Sequence, residues 1–311
     1  MRFWVGVTDN QWFKYLFETR PDEVNFWQPS ATTPPFKGAP VGLPFLFKLR
    51  SPHNHIVGGG FYVTYSHLPL KVAWDTFGDK NGCASFAEFR NLINALRPGS
   101  RMDDEIGCTV LANPFFLDRS AWIENPPAFA RGIMRGKFYD DTEQAGEAIW
   151  SRVVNWISLS PSASVLPDGA TKIAEPHGKY GDPVLYRPRI GQSSFRVLVT
   201  DAYQRRCAIT GERTLVTLEA AHIKPYSDEG THDVSNGLLL RADFHRLFDV
   251  GLVGVTPDLH VRVSRRIREE WFNGGAYYRL DGKPLSVVPV QKAEAPNPDL
   301  LDWHLRNRFQ A

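Results

Sequence analysis

Three residues with catalytic side chains fall inside one turn-rich passage, LEAAHIKPYSDEGTHDVSNGLLLRADFHRLFDVG, which runs from Leu218 to Gly251: they are His222, Asn236 and His245. A histidine near neutral pKa can take a proton from water. A second histidine can hold a divalent cation that polarises a phosphate and stabilises the leaving oxygen. Acids stand close to both, at Glu219 and Asp249. The passage therefore holds the parts of a metal-assisted hydrolase.

The elements that must position these groups follow from periodicity. From Thr214 to Ala221 the residues alternate loosely, with Val216, Leu218 and Ala220 on one face and Leu215, Thr217 and Glu219 on the other, as in a strand. The first face is the more apolar and is expected to turn inward. Asn236-Gly237 precedes a second strand at Leu238–Leu240, and ADFHRLFDVG reads as a helix closed by Gly251. Two strands, a loop and a helix make a ββα unit, in which the first strand presents His222 and the helix presents His245 across a small gap. Asn-Gly also favours a tight hairpin turn, so Asn236 serves as a turn residue, a brace across the loop, or both. His232 reads as a loop residue within reach of a phosphate at most.

This stretch resembles the HNH endonucleases of the ββα-metal type. Three blocks carry the resemblance in the right order: Ala220-Ala221-His222-Ile223-Lys224-Pro225, Asn236-Gly237-Leu238-Leu239-Leu240, and Phe244-His245-Arg246-Leu247-Phe248-Asp249-Val250-Gly251. Arg206-Cys207-Ala208-Ile209-Thr210-Gly211 is similar to the family's entry strand. The resemblance implies that His222 is the general base, that Asn236 keeps it aimed, and that His245 is a metal ligand, with Mg²⁺ (or Mn²⁺) as the ion. Many relatives carry a second ligand just before the base, where this chain has Ala221. Glu219, on the same strand face, and Asp249, one helical turn beyond His245, are the two candidates to replace it. Cys207 is followed by Thr210, so the C-x-x-C zinc knuckle of some relatives cannot form, and no structural zinc is expected.

Length and composition bound the rest. At 311 residues, with 42% hydrophobic and 23% charged, the chain has material for two domains. No apolar run approaches a membrane span, the start lacks the pattern of a signal peptide, and three cysteines suit a reducing cytoplasm. Arg187, Arg189, Arg196, Arg205, Arg206 and Arg213 cluster before the passage, and Arg262, Arg265, Arg266 and Arg268 after it. Such density suits phosphate contacts, with a solvated, ion-paired face as the other reading. Arg196, Arg205, Arg206 and Arg246 are the residues expected on DNA phosphates.

Residues 1–158 read as one α+β unit, 159–191 as a Pro-, Gly- and Ser-rich linker, and 192–311 as the nuclease domain. Strand-like runs occur at Phe3–Val7, Leu43–Leu49 and His55–Tyr65. Helices are expected at Thr8–Glu18, capped by Asp9, and at Ser85–Leu96, capped by Ser85. A further helix follows the linker, with Ser193 or Ser194 as its cap and Phe195, Val199 and Tyr203 on one face. FWVGVT at Phe3–Thr8, GLPFLFK at Gly42–Lys48 and IVGGGF at Ile56–Phe61 resemble the EVE domains of the PUA-like barrels.

That resemblance implies a β-barrel with flanking helices that captures a flipped, modified base between aromatic walls. Trp27, Tyr62 and Trp74 are the candidate walls; Asp75 would accept from a cytosine amino group. Any one of these tryptophans can equally be core. The two domains together resemble modification-dependent restriction endonucleases acting on double-stranded DNA with 5-methyl- or 5-hydroxymethylcytosine. The alternatives are a nicking or sequence-reading nuclease for unmodified DNA, and a binding module without catalysis. A double-strand break needs two sites. The helix at Ser193–Arg206 and the tail at Pro298–Phe309 are the candidate contacts of a homodimer, unless the tail folds back on its own domain.

Overall fold

Side-chain alternation along the first strand of the N-terminal unit feeds two separate apolar clusters, one on each face of the sheet. The computed structural model describes residues 1–31, 36, 39–124, 129–130, 132–159 and 189–311, so the expected linker lies almost wholly outside the described residues. Strand β1 (Arg2–Thr8) sends Phe3 and Val5 into one cluster and Trp4 into another. Strand β3 (Pro44–Leu49) repeats this, with Leu46 on the first side and Phe45 and Phe47 on the second. A period of two with apolar residues on both faces is what a sheet covered on both sides requires. Helix α1 (Asn10–Thr19) supplies Trp12, Phe13 and Leu16 to the second cluster, and α4 (Gln144–Leu159) supplies Ile149, Val153 and Ile157 to the first.

The remaining strands are β2 (Glu23–Gln28), β4 (His55–Pro69), β5 (Glu105–Phe116), β6 (Ile123–Glu124) and β7 (Gly136–Asp140). They pair in the order β2-β5-β4-β3-β1-β7, with β6 on β4. The β1–β3 pair is parallel and the other pairs are antiparallel. Helices α2 (Leu70–Phe77) and α3 (Phe86–Leu96) follow β4. The expected caps are in place: Asp9 accepts from the backbone N–H of Gln11 and Trp12, and Ser85 from that of Glu88. The fold is α+β, and the chain divides into units Met1–Arg189 and Ile190–Ala311. Among the described residues no helix is long and apolar enough to cross a membrane.

The C-terminal unit is built from α5 (Gln192–Ala202), β8 (Leu218–His222), β9 (Gly237–Arg241), α6 (Ala242–Asp249), the hairpin β10 (Val253–Val255) and β11 (Val261–Val263), α7 (Arg266–Trp271), α8 (Gly275–Tyr278) and α9 (Pro298–Asn307). One core gathers Phe195 and Val199 of α5 and its C-cap Tyr203 with Leu238–Leu240 of β9 and Phe244 and Phe248 of α6.

Four local expectations need correction. Gly191 occupies the N-cap of α5, whereas Ser193 and Ser194 are buried inside its first turn. Arg206–Gly211 is a chain of turns rather than a strand; there Cys207 Sγ accepts from the backbone N–H of Thr210 and Arg241 and ties the turn to β9. Leu215–Thr217 is a 3₁₀ turn, so the strand begins only at Leu218. Val216 consequently points to solvent at 66% exposure, and the buried pair of this stretch is Leu218 and Ala221 rather than Val216 and Ala220.

Candidate active site

His222 stands at the end of β8 opposite Gly237 of β9. The Phe195 ring of α5 stacks on its imidazole at 4.0 Å and 10°. That approach depends on the glycine: a Cβ at position 237 would lie 2.5 Å from Val199 Cγ2 and 3.0 Å from Phe195 Cζ. With a φ of −122°, Gly237 is not a turn residue; it is the absence of a side chain that lets α5 close over the strand. His222 Nε2 lies 3.0 Å from His232 Nδ1, and the His232 ring stacks on Tyr226 at 5.0 Å and 6°. Burial, reinforced by the neighbouring imidazoles of His232 and His245, pushes the His222 pKa down to about 4. At neutral pH His222 is therefore uncharged and keeps a lone pair for a proton.

Asn236 is fully buried and closes the loop after β8. Its Oδ1 accepts from Lys224 N at 2.9 Å, and its Nδ2 donates to Lys224 O at 2.9 Å and Thr231 O at 2.8 Å. Its own carbonyl accepts from Ile223 N at 2.9 Å. One side chain thus pins both ends of the segment between Lys224 and Thr231, immediately after His222. Asn-Gly here supplies a brace and a close approach, not a two-residue hairpin.

On α6, His245 lies between two carboxylates. Nδ1 is 2.7 Å from Glu219 Oε2 on β8, and Nε2 is 3.3 Å from Asp249 Oδ2 one turn along the helix. A carboxylate only accepts, so Nδ1 carries the proton toward Glu219. For a neutral ring that leaves Nε2 as a lone pair facing Asp249. Burial pushes the Asp249 carboxyl up; Glu219 adds to this, and His245 and Arg308 oppose it.

Either a proton on His245 Nε2 or a cation between it and Asp249 Oδ2 satisfies both groups. Two ligands of one divalent ion stand about 3 Å apart, given bonds of about 2.1 Å near right angles. His245 Nε2 and Asp249 Oδ2 fit that spacing. Glu219 sits on the other ring nitrogen, where a carboxylate orients a ligating histidine. Among the described residues no group of three or more His, Cys, Asp or Glu converges on one point.

The other expected residues are scattered. Arg205 pairs with Asp201 at 3.6 Å, and Arg206 Nε donates to Gly211 O at 3.5 Å. Arg246 lines a cleft of about 740 Å³ with Arg266 and Trp271. Arg196 has interaction partners of its own, and Arg187 lies outside the described residues. The tail folds back on its own unit. Leu301 is buried in the core, and the His304 ring stacks on Phe248 at 3.7 Å while Nε2 meets Phe248 O at 3.0 Å. Gly251, at a φ of +74°, passes so close that a Cβ there would lie 1.9 Å from Arg308 O.

In the N-terminal unit, Trp27 lines a cavity of about 620 Å³ with Trp12, Phe26, Asp9, Gln28 and Arg50. Its Nε1 donates to Asn81 O at 2.9 Å and its ring packs edge-on to Phe89. The other three expected pocket residues lie elsewhere. Tyr62 packs edge-on against Phe36, Trp74 packs against Phe86 and Phe89, and Asp75 is ion-paired with Lys71 on the surface of α2. Trp74 and Asp75 lie on α2, none of whose residues lines the cavity. Trp12, Asp9 and Arg50 were not expected there, since Asp9 reads from the sequence only as a cap. Phe195 and His232 also escaped sequence reasoning, because neither stands at a diagnostic spacing from His222.

Comparison with known proteins adds the family of the second unit. Residues 207–256 match the HNH_2 model, described as HNH endonuclease. The chain carries an HNH endonuclease domain and is a nuclease. No curated protein sequence matches it. Among solved structures, ASCH from Zymomonas mobilis is similar to the N-terminal part, at 10% identity over 49% of this chain and 94% of that one, with a TM-score of 0.31. The modification-dependent restriction endonuclease TagI is similar at 15% identity over 86% of this chain, with a TM-score of 0.28. This chain spans 62% of TagI's length.

Proposed function

We propose that this nuclease cuts double-stranded DNA containing a modified cytosine, such as 5-methyl- or 5-hydroxymethylcytosine, in the cytoplasm. The observation that carries the hydrolytic half is a neutral, ring-clamped His222 in the same ββα unit as a second histidine flanked by carboxylates. His222 takes the proton of the attacking water through the ring nitrogen not turned to His232, and Asn236 holds the loop that keeps the ring in place. His245 and Asp249 would hold the Mg²⁺ or Mn²⁺ ion, with Glu219 fixing the His245 ring. The bound ion supplies charge stabilisation at the phosphate and the leaving oxygen.

The reading half is supported by the Trp27 cavity. Its 620 Å³ is ample for one extruded base with a substituent. Trp12, Phe26 and Trp27 offer apolar walls, and Asp9, Gln28 and Arg50 offer edge hydrogen bonds. These would offset the few kcal/mol that flipping costs. Arg196, Arg205, Arg206 and Arg246 supply phosphate attraction without sequence information. One such site breaks one strand per encounter, so a double-strand break takes two copies of the chain or two visits.

The test is cleavage of matched plasmids with unmodified, 5-methyl- and 5-hydroxymethylcytosine by the wild type and Trp27→Ala, with Mg²⁺ or Mn²⁺. Modified plasmid should be cut in preference, and Trp27→Ala should narrow the preference by roughly the 1–3 kcal/mol of one stacked base. Equal cutting of all three plasmids by the wild type would instead mark a nuclease for unmodified DNA. Uncut plasmid under every condition would mark a binding module.

A further inference from the structure

A second imidazole lies against the proposed base. His232 sits on the loop braced by Asn236, with Nδ1 3.0 Å from His222 Nε2. Both rings are held in place. Phe195 covers His222 at 4.0 Å and meets His232 at 5.7 Å, while Tyr226 lies parallel to His232 at 5.0 Å. The adjacent carboxylate of Asp233 is engaged by the Thr231 hydroxyl at 2.7 Å. A nitrogen-to-nitrogen contact of this length holds one shared proton, which fixes the tautomer of both rings together.

We propose that His232 is the proton acceptor behind His222, so that the two imidazoles form a relay leading from the attacking water to solvent. This rests on the reading of His222 as the base. With Nε2–H of His222 donated to Nδ1 of His232, the His222 lone pair is at Nδ1. When water attacks, its O–H bond breaks, its oxygen bonds to phosphorus and the proton joins His222 Nδ1. The Nε2–H bond of His222 then breaks, and that proton joins His232 Nδ1. His232 loses its Nε2 proton to solvent, so charge and proton count balance. One proton entering at His232 Nε2 and one leaving at His222 Nδ1 restore the starting tautomers. The relay suits a buried ring whose surroundings disfavour its charged form, because the positive charge need not stay on His222.

The experiment compares His232→Ala, His232→Asn and His222→Ala in the full chain, on plasmid DNA with Mg²⁺, which imidazole binds weakly. His232→Ala should lower kcat on the order of tenfold to a hundredfold, the lower part of what general acid–base groups contribute, with KM nearly unchanged. Imidazole added to the buffer should restore part of the rate. His232→Asn retains an acceptor for His222 Nε2–H but cannot pass a proton on, so it should remain slow. The relay is overturned by wild-type kcat in both His232 variants, by an Asn variant that cuts as the wild type does, or by an Ala variant that imidazole does not relieve. A His222→Ala protein that cuts at the wild-type rate would sink the base assignment itself, whatever the His232 variants do.

Discussion

His222 and His245 belong to one ββα unit, yet their surroundings are opposite. His222 is flanked by rings: Phe195 on one face and His232 at its Nε2. His245 is flanked by carboxylates, Glu219 at Nδ1 and Asp249 at Nε2. Apolar and imidazole neighbours disfavour an added charge, whereas carboxylates attract one. Under the proposed function, this contrast suits His222 on the strand to accept a proton and His245 on the helix to hold a cation. The contrast follows from which neighbouring element each ring meets.

The largest way to break this contrast is to remove one ring at a time. His222→Ala should lower cleavage by about 10²–10⁴-fold, the span of a general base, without changing the divalent-ion concentration at half-maximal activity. His245→Ala should also be inactive, and excess Mn²⁺ should recover part of its activity where it recovers none in His222→Ala. Identical metal titrations for the two variants would remove the distinction.

A finer test concerns Glu219. Glu219→Gln should weaken the apparent metal affinity by about 10–100-fold, as loss of a carboxylate behind a ligating histidine does, while kcat at saturating metal stays within a few-fold of wild type. An unchanged metal titration would show that Glu219 neither orients His245 nor binds the ion.

The brace yields a smaller effect. Asn236→Ala leaves the N–H and carbonyl of Lys224 and the carbonyl of Thr231 without their partner. These bonds are part-buried, so each one lost costs about 0.5–1.5 kcal/mol; thermal unfolding should occur at lower temperature and kcat should fall with it. If the melting temperature is unchanged, the loop is held by other contacts.

The smallest effect is on pH. His222 and His304 both have pKa values pushed down from 6.5 to about 4, chiefly by burial. The unfolded chain binds their protons at higher pH than the folded one does. The stability these rings contribute is complete above about pH 6.5 and is lost as pH falls through about 4. The melting temperature should decline over that window, and the acid limb of kcat/KM should lie near 4. An acid limb near 6.5 would mean that His222 is not shielded as described.

Much of the catalytic half was legible because its signal is local. The three motif blocks order a strand, a loop and a helix within one short passage, and Phe3–Val7 reads as a strand from its apolar run, while only the packing shows that both its faces are covered. Asp9 and Ser85 announce their helices because capping is a contact between residues two or three apart. Local periodicity failed where tertiary packing overrode it, as at Val216, whose apparent inward face is dissolved by a 3₁₀ turn.

By itself, then, the amino-acid sequence determined the ββα order and the α+β class, and it placed His222, Asn236 and His245 as candidates within that unit. Only the tertiary structure decided that Phe195 and His232 clasp His222, that Glu219 and Asp249 take opposite nitrogens of His245, and that the tail covers its own core. It also decided that Trp27 shares its cavity with Trp12, Asp9 and Arg50 rather than with Trp74. Secondary structure repeats over two to four residues and leaves a pattern along the chain. Ring stacks and cavity walls join residues far apart in sequence, and their meeting depends on how whole elements pack, which no spacing encodes.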